Sequence, residues 1–319
     1  MKRLGTMLAG LAALFAATTA QAADVEEIRI DWATYNPVSI LLKEKGLLEK
    51  EFEADGISIR WVQSAGSNKA LEFLNAQSID FGSTAGSAAF LARVNGNPVK
   101  SIYVYSKPEW TALVTKGDSD ISAVADLKGK TVAVTRGTDP HIFLVRALSD
   151  AGLSERDLNL VLLQHADGKT ALLRGDVDAW AGLDPLMASA EVEDGARLFF
   201  RNADANTWGV LNTREDFAEE HPALVQRVLA VYEQARQEAL ANPADLQALL
   251  VAATGLPDAV IERQLERTDL SHSTIGDAQA QTISEAGKAL QSAGVIAAEV
   301  DVDGTVADLI DRRFDNLGQ

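Results

Sequence analysis

Cysteine is absent from this chain of 319 residues. Its absence excludes disulfide bonds, a thiolate nucleophile, cysteine-ligated zinc or iron–sulfur sites and a lipid-modified N-terminal cysteine. Basic residues are also scarce, since 29 Lys and Arg stand against 46 Asp and Glu and the formal charge is −17. We therefore expect no nucleic-acid partner, because phosphates attract a basic surface. The length and the 47% hydrophobic content are sufficient for two domains with buried cores.

Long apolar runs are missing too, apart from one near the start of the chain. The ten residues from Leu8 to Ala17 are almost purely apolar, follow Lys2 and Arg3, and precede Ala20-Gln21-Ala22. This order is typical of a secretory signal peptide. An apolar run of that length is too short to span a bilayer, which takes about 20 residues. We expect cleavage near Ala22 and a periplasmic protein that does not insert into the membrane.

Motifs for catalysis or metal binding are weak. Gly168-Lys169-Thr170 resembles the end of a phosphate-binding loop but lacks the required earlier glycine, and is interpreted as a helix start. The serine of Gly82-Ser83-Thr84-Ala85-Gly86 is one position too early for a hydrolase nucleophile. No two histidines have metal-binding spacing, and all are interpreted as surface or cap residues: His141, His165, His221 and His272. We expect no catalytic residue, no metal and no cofactor.

Strand and helix patterns alternate through the first two thirds of the chain. Strands are predicted at 28–32, 57–62, 79–82, 131–134 and 158–163 from alternating or short apolar runs. Helices are predicted between Asn36 and Gly46, at 69–76 and at 141–151, with Pro37 and Pro140 in first turns. This alternation predicts an α/β fold of mixed, mostly parallel sheets flanked by helices.

Two further patterns organise the chain. Residues 70–82 and 170–181 resemble each other, because in both a helix ends in a small polar turn and an Ile-Asp or Val-Asp pair opens a strand. This internal repeat predicts two lobes with similar connections. Later segments have helical spacing at 222–240, 242–253, 257–265, 277–293 and 306–314. We expect this helical C-terminal segment to pack against one lobe.

Polar loops follow several predicted strands, at 34–36, 65–68, 83–87, 136–138 and 182–184. Gly, Ser, Thr and Asn dominate them, and these residues expose backbone N–H groups and hydroxyls at helix N-termini. Ligands of parallel sheets bind beyond the carboxyl ends of the strands, and helix N-termini bind anions. Each loop also has an ordinary interpretation as a helix cap. Together they favour a ligand cleft between two lobes.

Several ordered motifs resemble one known family. They are Gly46-Leu47-Leu48-Glu49, the run from Ala70 to Thr84, Asp126 to Ala133, Gly137-Thr138, and Asp178 to Pro185. Together they look like the periplasmic substrate-binding proteins of ABC importers for sulfonates, taurine and nitrate, and most of all the aliphatic-sulfonate members. The resemblance implies a type II two-lobed fold, a small organic anion enclosed between the lobes, and an ABC permease with its ATPase as partners. We expect a monomer with a signal peptide at 1–22, one lobe from 23–107 and 209–319, and a second lobe from 108–208.

The resemblance and the loops together give a set of candidate ligand-binding residues. Arg136 is the candidate cation for an oxyanion, and Asp184 is either a helix cap or a partner for the ammonium of a zwitterion such as taurine. Trp208 lies where the chain is expected to recross between lobes. The full set is Tyr35, Asn36, Gly66, Ser67, Ser83, Thr84, Arg136, Gly137, Thr138, Asp184 and Trp208.

Alternatives remain open at this point. Sulfonate-binding members often carry an aromatic residue before the Asp-Pro pair, whereas this chain has Leu183. An aromatic contact could instead come from Tyr35, Trp110 or Trp208, and the ligand could be taurine, nitrate, bicarbonate or a pyrimidine-like or flavin-like ring. A related enzyme of thiamine-pyrimidine synthesis is a second alternative. The predicted export signal and the missing cysteine argue against that enzyme.

Overall fold

The computed structural model describes residues 25–315, which form two β-sheets flanked by helices. The predicted signal peptide and its cleavage near Ala22 lie outside these residues. Within 25–315, no helix combines the length and apolar character that a membrane span requires. The predicted α/β class, with mixed sheets and a helical C-terminal segment, is confirmed. The sheets are not mostly parallel as predicted, because four of the nine strand pairings among these residues are parallel and five are antiparallel.

The first sheet has six strands in the order β11-β4-β10-β3-β1-β2. Strand β1 is parallel to β2 and β3, whereas β10 is antiparallel to β3 and β4. Ile28 and Ile30 of β1 are fully buried, as their alternation predicts. The strands are β1 Glu27–Trp32, β2 Ser58–Gln63, β3 Phe81–Ala85, β4 Val99–Pro108, β10 Gly209–Arg214 and β11 Thr268–Asp269.

The second sheet has five strands in the order β7-β6-β8-β5-β9. They are β5 Thr111–Thr115, β6 Thr131–Val134, β7 Asn159–Leu162, β8 Ala179–Leu183 and β9 Arg197–Phe200. Strand β6 is parallel to β7 and β8, and β5 is antiparallel to β8 and β9. This arrangement repeats the order β2-β1-β3-β10-β4 of the first sheet. The two copies of the internal repeat end in β3 and β8, which occupy equivalent places, so the prediction of two similarly connected lobes is confirmed.

The helices cover both sheets and follow the strands in sequence. Those before β10 are α1 Pro37–Lys45, α2 Leu47–Phe52, α3 Ser67–Asn75, α4 Gly86–Val94, α5 Asp139–Asp150, α6 His165–Arg174 and α7 Leu186–Asp194. Those after it are α8 Glu215–Glu220, α9 Pro222–Ala241, α10 Pro243–Thr254, α11 Asp258–Glu266, α12 Asp277–Ser292 and α13 Val302–Leu309.

The C-terminal helices contact both lobes. Helices α9 and α10 pack on α1 of the first lobe, but α11 packs on α7 and α12 packs on α5, which both flank the second sheet. The expectation that this segment braces one lobe is therefore wrong. The physical reason lies in Arg267, at the end of α11, whose guanidinium binds carboxylates beside and within α7.

Gly168 shows why α6 can lie directly on the second sheet. A methyl group at Gly168 would lie 2.7 Å from Nε1 of Trp180, which is fully buried in β8. Glycine is thus required by close packing against an indole ring. The interpretation of Gly168 to Thr170 as a helix start is wrong by three residues, because α6 begins at His165.

The chain passes between the sheets twice, and the two crossings are held together. The first joins Pro108 of β4 to Thr111 of β5, and the second leads from Phe200 of β9 to Gly209 of β10. Asn206 in the second crossing accepts a hydrogen bond from the Thr111 backbone N–H at 2.9 Å. Two short, adjacent connections of this kind are the usual place for hinge motion between lobes.

Candidate functional site

Three helices of the two lobes begin close to one another. A methyl group built on Gly66, just before α3, would lie 3.0 Å from Nε2 of His165, the first residue of α6. A methyl group on Gly137, two residues before α5, would lie 4.0 Å from Cβ of Asn68 in α3. The first turns of α3, α5 and α6 therefore meet between the sheets. We call the residues there the cleft group: Gly66, Ser67, Asn68, Thr135, Gly137, Thr138 and His165.

No side chain caps the N-termini of these three helices. The residues that precede α3, α5 and α6 are Gly66, Thr138 and Gln164, and none of the three caps its helix through a side chain. The first backbone N–H groups of a helix have no intrahelical acceptor, and they carry the positive end of the helix dipole. A small anion between the lobes would satisfy them.

Unpartnered polar atoms mark the same place. His165 Nε2, Asn68 Oδ1 and Gln164 Oε1 are buried and have no hydrogen-bond partner among residues 25–315. Buried polar atoms without partners cost free energy, and they are rare unless a ligand or water satisfies them. His165 is only 1% exposed, and burial lowers the pKa of its imidazole to about 3. Burial of His165 thus favours the neutral form of its imidazole.

The interpretation of the histidines as surface or cap residues is wrong for two of them. His141 and His165 are each 1% exposed. His141 lies in the first turn of α5 and its Nε2 is 3.0 Å from Glu155. His165 was missed because its loop after β7, Leu163-Gln164, contains no Gly, Ser, Thr or Asn. Its position directly beyond the carboxyl end of a predicted strand was the feature of the sequence that could have indicated a site residue.

Four of the predicted ligand-binding residues belong to the cleft group. They are Gly66, Ser67, Gly137 and Thr138. Ser67 Oγ accepts a hydrogen bond from the Ala85 backbone N–H at 3.0 Å, and Thr138 Oγ1 donates to the Thr135 carbonyl at 2.6 Å. These bonds hold the start of α3 to the end of β3 and the start of α5 to the end of β6.

Asn36, Ser83 and Thr84 form part of a buried polar layer that is satisfied within the first lobe. Asn36 Nδ2 donates to Ser83 Oγ at 2.9 Å and to Tyr232 Oη at 2.7 Å. Asn212 Nδ2 donates to Thr84 Oγ1 at 2.8 Å. All three predicted residues are completely buried. The structure gives them a role in holding the strand ends and does not bring them into the cleft group.

The structure does not bring Arg136 into the cleft group either. Its side chain is 54% exposed and its guanidinium lies 3.7 Å from Glu155. Glu155 stands in the turn after α5, where it also meets His141, so the carboxylate draws the arginine to that side of the loop. The cation predicted for the site is thus turned toward an acidic partner.

Asp184 is already neutralised by protein groups. Its Oδ1 accepts the Ala188 backbone N–H at 2.8 Å, and its Oδ2 lies 3.5 Å from Nη1 of Arg267. Burial raises the pKa of this carboxyl to about 7, while Arg267 opposes the shift. Asp184 therefore acts as a cap and as one half of an ion pair between the lobes. A ligand ammonium would have to displace Arg267.

The aromatic candidates lie around the crossings. Tyr35 donates to the Ser83 carbonyl at 2.9 Å, and its ring meets Trp110 edge-on at 5.9 Å. Trp208 packs against His272 at 5.0 Å and under the Lys107 ammonium at 5.5 Å. Trp208 is thus part of the second crossing, and it does not join the cleft group.

Asp139 joins the lobes at the start of α5. One carboxylate oxygen accepts hydrogen bonds from Ser87 Oγ at 2.5 Å and Thr207 Oγ1 at 2.7 Å. The other accepts from Trp110 Nε1 at 2.8 Å and the Thr207 backbone N–H at 3.1 Å. Burial raises the pKa of Asp139, and these four donors oppose the rise. Ser87 belongs to the first lobe and Trp110 and Thr207 to the crossings, so one carboxylate connects all three parts.

His, Asp and Glu side chains nowhere gather in groups of three that could hold a metal ion between residues 25 and 315.

Comparison with known proteins matches residues 43–246 to the family described as NMT1/THI5 like. A protein from Escherichia coli (strain K12) named for binding aliphatic sulfonates is 34% identical over 261 residues, which are 81% of this chain and 81% of that protein. The alkanesulfonate-binding protein SsuA from Xanthomonas axonopodis pv. citri, bound to MOPS, has a TM-score of 0.82 and 27% identity, covering 91% of this chain and 100% of that chain.

The periplasmic aliphatic sulphonate binding protein SsuA from Escherichia coli has a TM-score of 0.75 and 30% identity, covering 90% of this chain and 92% of that chain. These likenesses extend over both sheets and the C-terminal helices. They confirm the resemblance to the sulfonate-type binding proteins that the sequence motifs indicated. The chain belongs to the NMT1/THI5-like family, within which its similarity to sulfonate-binding proteins is extensive.

Proposed function

We propose that this chain is the periplasmic binding component of an ABC importer, and that it encloses an aliphatic sulfonate between its two lobes. One observation carries the proposal: the uncapped first turns of α3, α5 and α6 meet at the cleft group. Helix N-termini stabilise an anion without any net positive charge on the protein. The strongly acidic composition is therefore compatible with an anionic ligand.

The division into lobes follows the crossings. We propose lobes of 23–107 with 209–319, and of 108–208, because the chain changes sheets between Pro108 and Thr111 and again before Gly209. Ligand binding would favour the closed arrangement by the difference between its affinities for the closed and open forms. The closed monomer would then dock on a membrane permease driven by an ATPase, and the ligand would leave unchanged. This role requires no catalysis and no cofactor.

Among the alternative ligands, an anion receives more support than a stacked ring. Tyr35 and Trp110 contact each other, and Trp208 contacts His272 and Lys107, so these rings are already engaged. Taurine would need a carboxylate for its ammonium, and Asp184 is held by Arg267. A simple alkanesulfonate requires neither the release of these rings from their contacts nor the separation of Asp184 from Arg267.

Calorimetric titration tests the proposal. The chain lacking residues 1–22 would be titrated with 1-butanesulfonate, taurine, nitrate, bicarbonate and riboflavin in Tris buffer. MOPS-type buffers are themselves sulfonates, and phosphate is an anion that helix N-termini bind. We expect micromolar or tighter binding of 1-butanesulfonate, equivalent to about −8 kcal/mol or better. Tighter binding of nitrate or riboflavin, or no binding of any sulfonate, would overturn the assignment.

A further inference from the structure

His165 has one ring nitrogen hydrogen-bonded within the protein and the other buried without a hydrogen-bond partner among the described residues. Nδ1 lies 3.1 Å from Thr135 Oγ1, and that hydroxyl donates its single proton to the Leu163 carbonyl at 2.7 Å. Thr135 Oγ1 must therefore accept the hydrogen bond from His165, and Nδ1 carries the ring proton that is donated. Nε2 is left with a lone pair and has no partner among the described residues.

The nitrogen without a partner faces the opposite lobe. A methyl group on Gly66 would lie 3.0 Å from Nε2 and 2.8 Å from Asn68 Oδ1, so the imidazole edge faces the first turn of α3 in the other lobe. His165 is itself the first residue of α6. Nε2 thus lies where two helix N-termini from different lobes converge, next to the place of the proposed anion.

Charge balance in the closed cleft is the central problem. A sulfonate stays ionised at any physiological pH, and burying an unpaired charge is costly. Within the cleft group, His165 is the one side chain that can gain a positive charge. Burial alone accounts for the low pKa of its imidazole, with no contribution from a neighbouring charge.

The charged side chains on the surrounding elements are held by other protein groups or exposed. On α5, the buried carboxylate of Asp139 accepts hydrogen bonds from Ser87, Trp110 and Thr207, and Arg146 donates to the Ala205 carbonyl. On α3, Lys69 Nζ lies 2.6 Å from Glu72, and on α6, Lys169 Nζ lies 3.0 Å from Asp194 while Asp167 is exposed. Beside α5, Glu155 holds both Arg136 and His141. None of them replaces His165 as a counter-charge.

We propose that His165 is the counter-charge of the bound ligand, and that the cleft takes up one proton at Nε2 when it closes on a sulfonate. The proposal rests on the sulfonate function proposed above. The proton comes from solvent, no bond of the ligand breaks, and the new Nε2–H donates to a sulfonate oxygen. His165 is a positioning and specificity-determining residue in this scheme, because a neutral ligand would not stabilise the imidazolium.

The primary test counts protons in the wild-type chain. 1-Butanesulfonate would be titrated in bis-tris and in Tris, two buffers that are not anions and whose ionisation enthalpies differ, at several values between about pH 6 and pH 8. We expect uptake of about one proton per ligand, and an affinity that falls about tenfold for each unit of pH. Binding without proton uptake and without pH dependence would overturn the role of His165 and leave the proposed function intact. Failure to bind any sulfonate at every pH would overturn both.

A variant pair isolates the residue. His165→Gln keeps a polar side chain but cannot become charged, so we expect weaker binding, no proton uptake and no pH slope. His221→Gln, at the start of α9 and outside the cleft group, should retain the full slope. If the affinity of His165→Gln still fell with rising pH as in wild type, the proton would be taken up by another group. If that variant does not fold, the wild-type proton count still decides the question.

Discussion

Ser87 Oγ donates a hydrogen bond of 2.5 Å to Asp139 Oδ1, and this bond links α4 of the first lobe to α5 of the second. The remaining acceptor positions of Asp139 receive the side chains and backbone of the two crossings. A single buried carboxylate therefore connects the first lobe, α5 and the two crossings. We expect an open form to lose the Ser87 bond and to keep the bonds from the crossings.

Asp139→Asn is expected to weaken both closure and stability. An amide has one acceptor oxygen, so two of the four donors would face its NH₂ group and lose their partner. Buried donors left unsatisfied cost about 1–3 kcal/mol each. We expect affinity for 1-butanesulfonate to fall about tenfold or more in calorimetry, together with a lower unfolding free energy. Asp150→Asn, at the exposed end of the same helix, is the control, and equal behaviour of the two variants would remove Asp139 from this role.

Arg267 offers a second test of contacts between the lobes. It binds Asp184 and Glu191 and is 8% exposed. Arg267→Met would leave Asp184 buried without a counter-charge, and breaking a buried pair in this way costs about 3–5 kcal/mol. We expect a loss of this order in chemical denaturation, partly restored by adding Asp184→Asn.

The matched control for Arg267 is on the same helix. Arg263 is 42% exposed and lies 3.9 Å from Glu191, and exposed pairs of this kind contribute about 0–1 kcal/mol. Arg263→Met should therefore change stability little. If Arg267→Met were as mild, or if Asp184→Asn gave no recovery in the double variant, the ion pair between the lobes would not be a stabilising contact.

The strands that could be predicted from sequence are those with alternating or isolated apolar runs. Predicted bounds for β1, β2, β6 and β7 fall within about one residue of the observed ones. Strand β10 was not predicted, because it lies centrally in the first sheet and buries polar side chains. Asn212 and Thr213 are fully buried there, where Thr84 Oγ1 and the Asp80 carbonyl accept their hydrogen bonds. A pattern of polar residues does not reveal burial of this kind.

The part of the candidate site that could be predicted from sequence is the set of loops whose backbone surrounds it. The Gly-rich and Thr-rich loops at Gly66 and Gly137 stand at strand ends, and the fold alone brings them together. Side-chain direction was not predictable, because it depends on partners distant in sequence. Arg136 turns to Glu155, and His165 is buried by contact with α3 of the opposite lobe.

Gly66→Ala tests the approach of α3 to α6. A methyl group there would lie 2.8 Å from Asn68 Oδ1 and 3.0 Å from His165 Nε2, closer than ordinary contacts allow. Because these neighbours belong to both lobes, we expect the closed form to be disfavoured and sulfonate affinity to fall about tenfold in calorimetry. Gly276→Ala is the control, since its methyl group would meet its nearest neighbour at 3.4 Å. Unchanged affinity in Gly66→Ala would place the ligand away from this contact.

Asp31 predicts a specific dependence of stability on pH. The side chain is fully buried, and its Oδ1 accepts bonds from the Ser83 backbone N–H and Oγ, each at 2.8 Å. Burial is the main cause that raises the pKa of this carboxyl from 3.8 to about 7. Between these values the folded protein holds a proton that the unfolded chain has lost. The folded state therefore binds more protons, and its stability falls as pH rises from about 4 to about 7.

Asp31→Asn removes this titration while keeping an acceptor for Ser83. We expect the variant to gain stability relative to wild type as pH rises through that window, by up to about 1.4 kcal/mol per unit and a few kcal/mol in total. Unfolding free energies at about pH 4.5 and pH 7.5 measure the difference, and shared contributions from Asp184 and His165 cancel between the two proteins. Asp167→Asn, at an exposed position on α6, should follow the wild-type curve. If the difference in unfolding free energy between Asp31→Asn and wild type were the same at both pH values, Asp31 would have the same pKa in the folded and the unfolded chain.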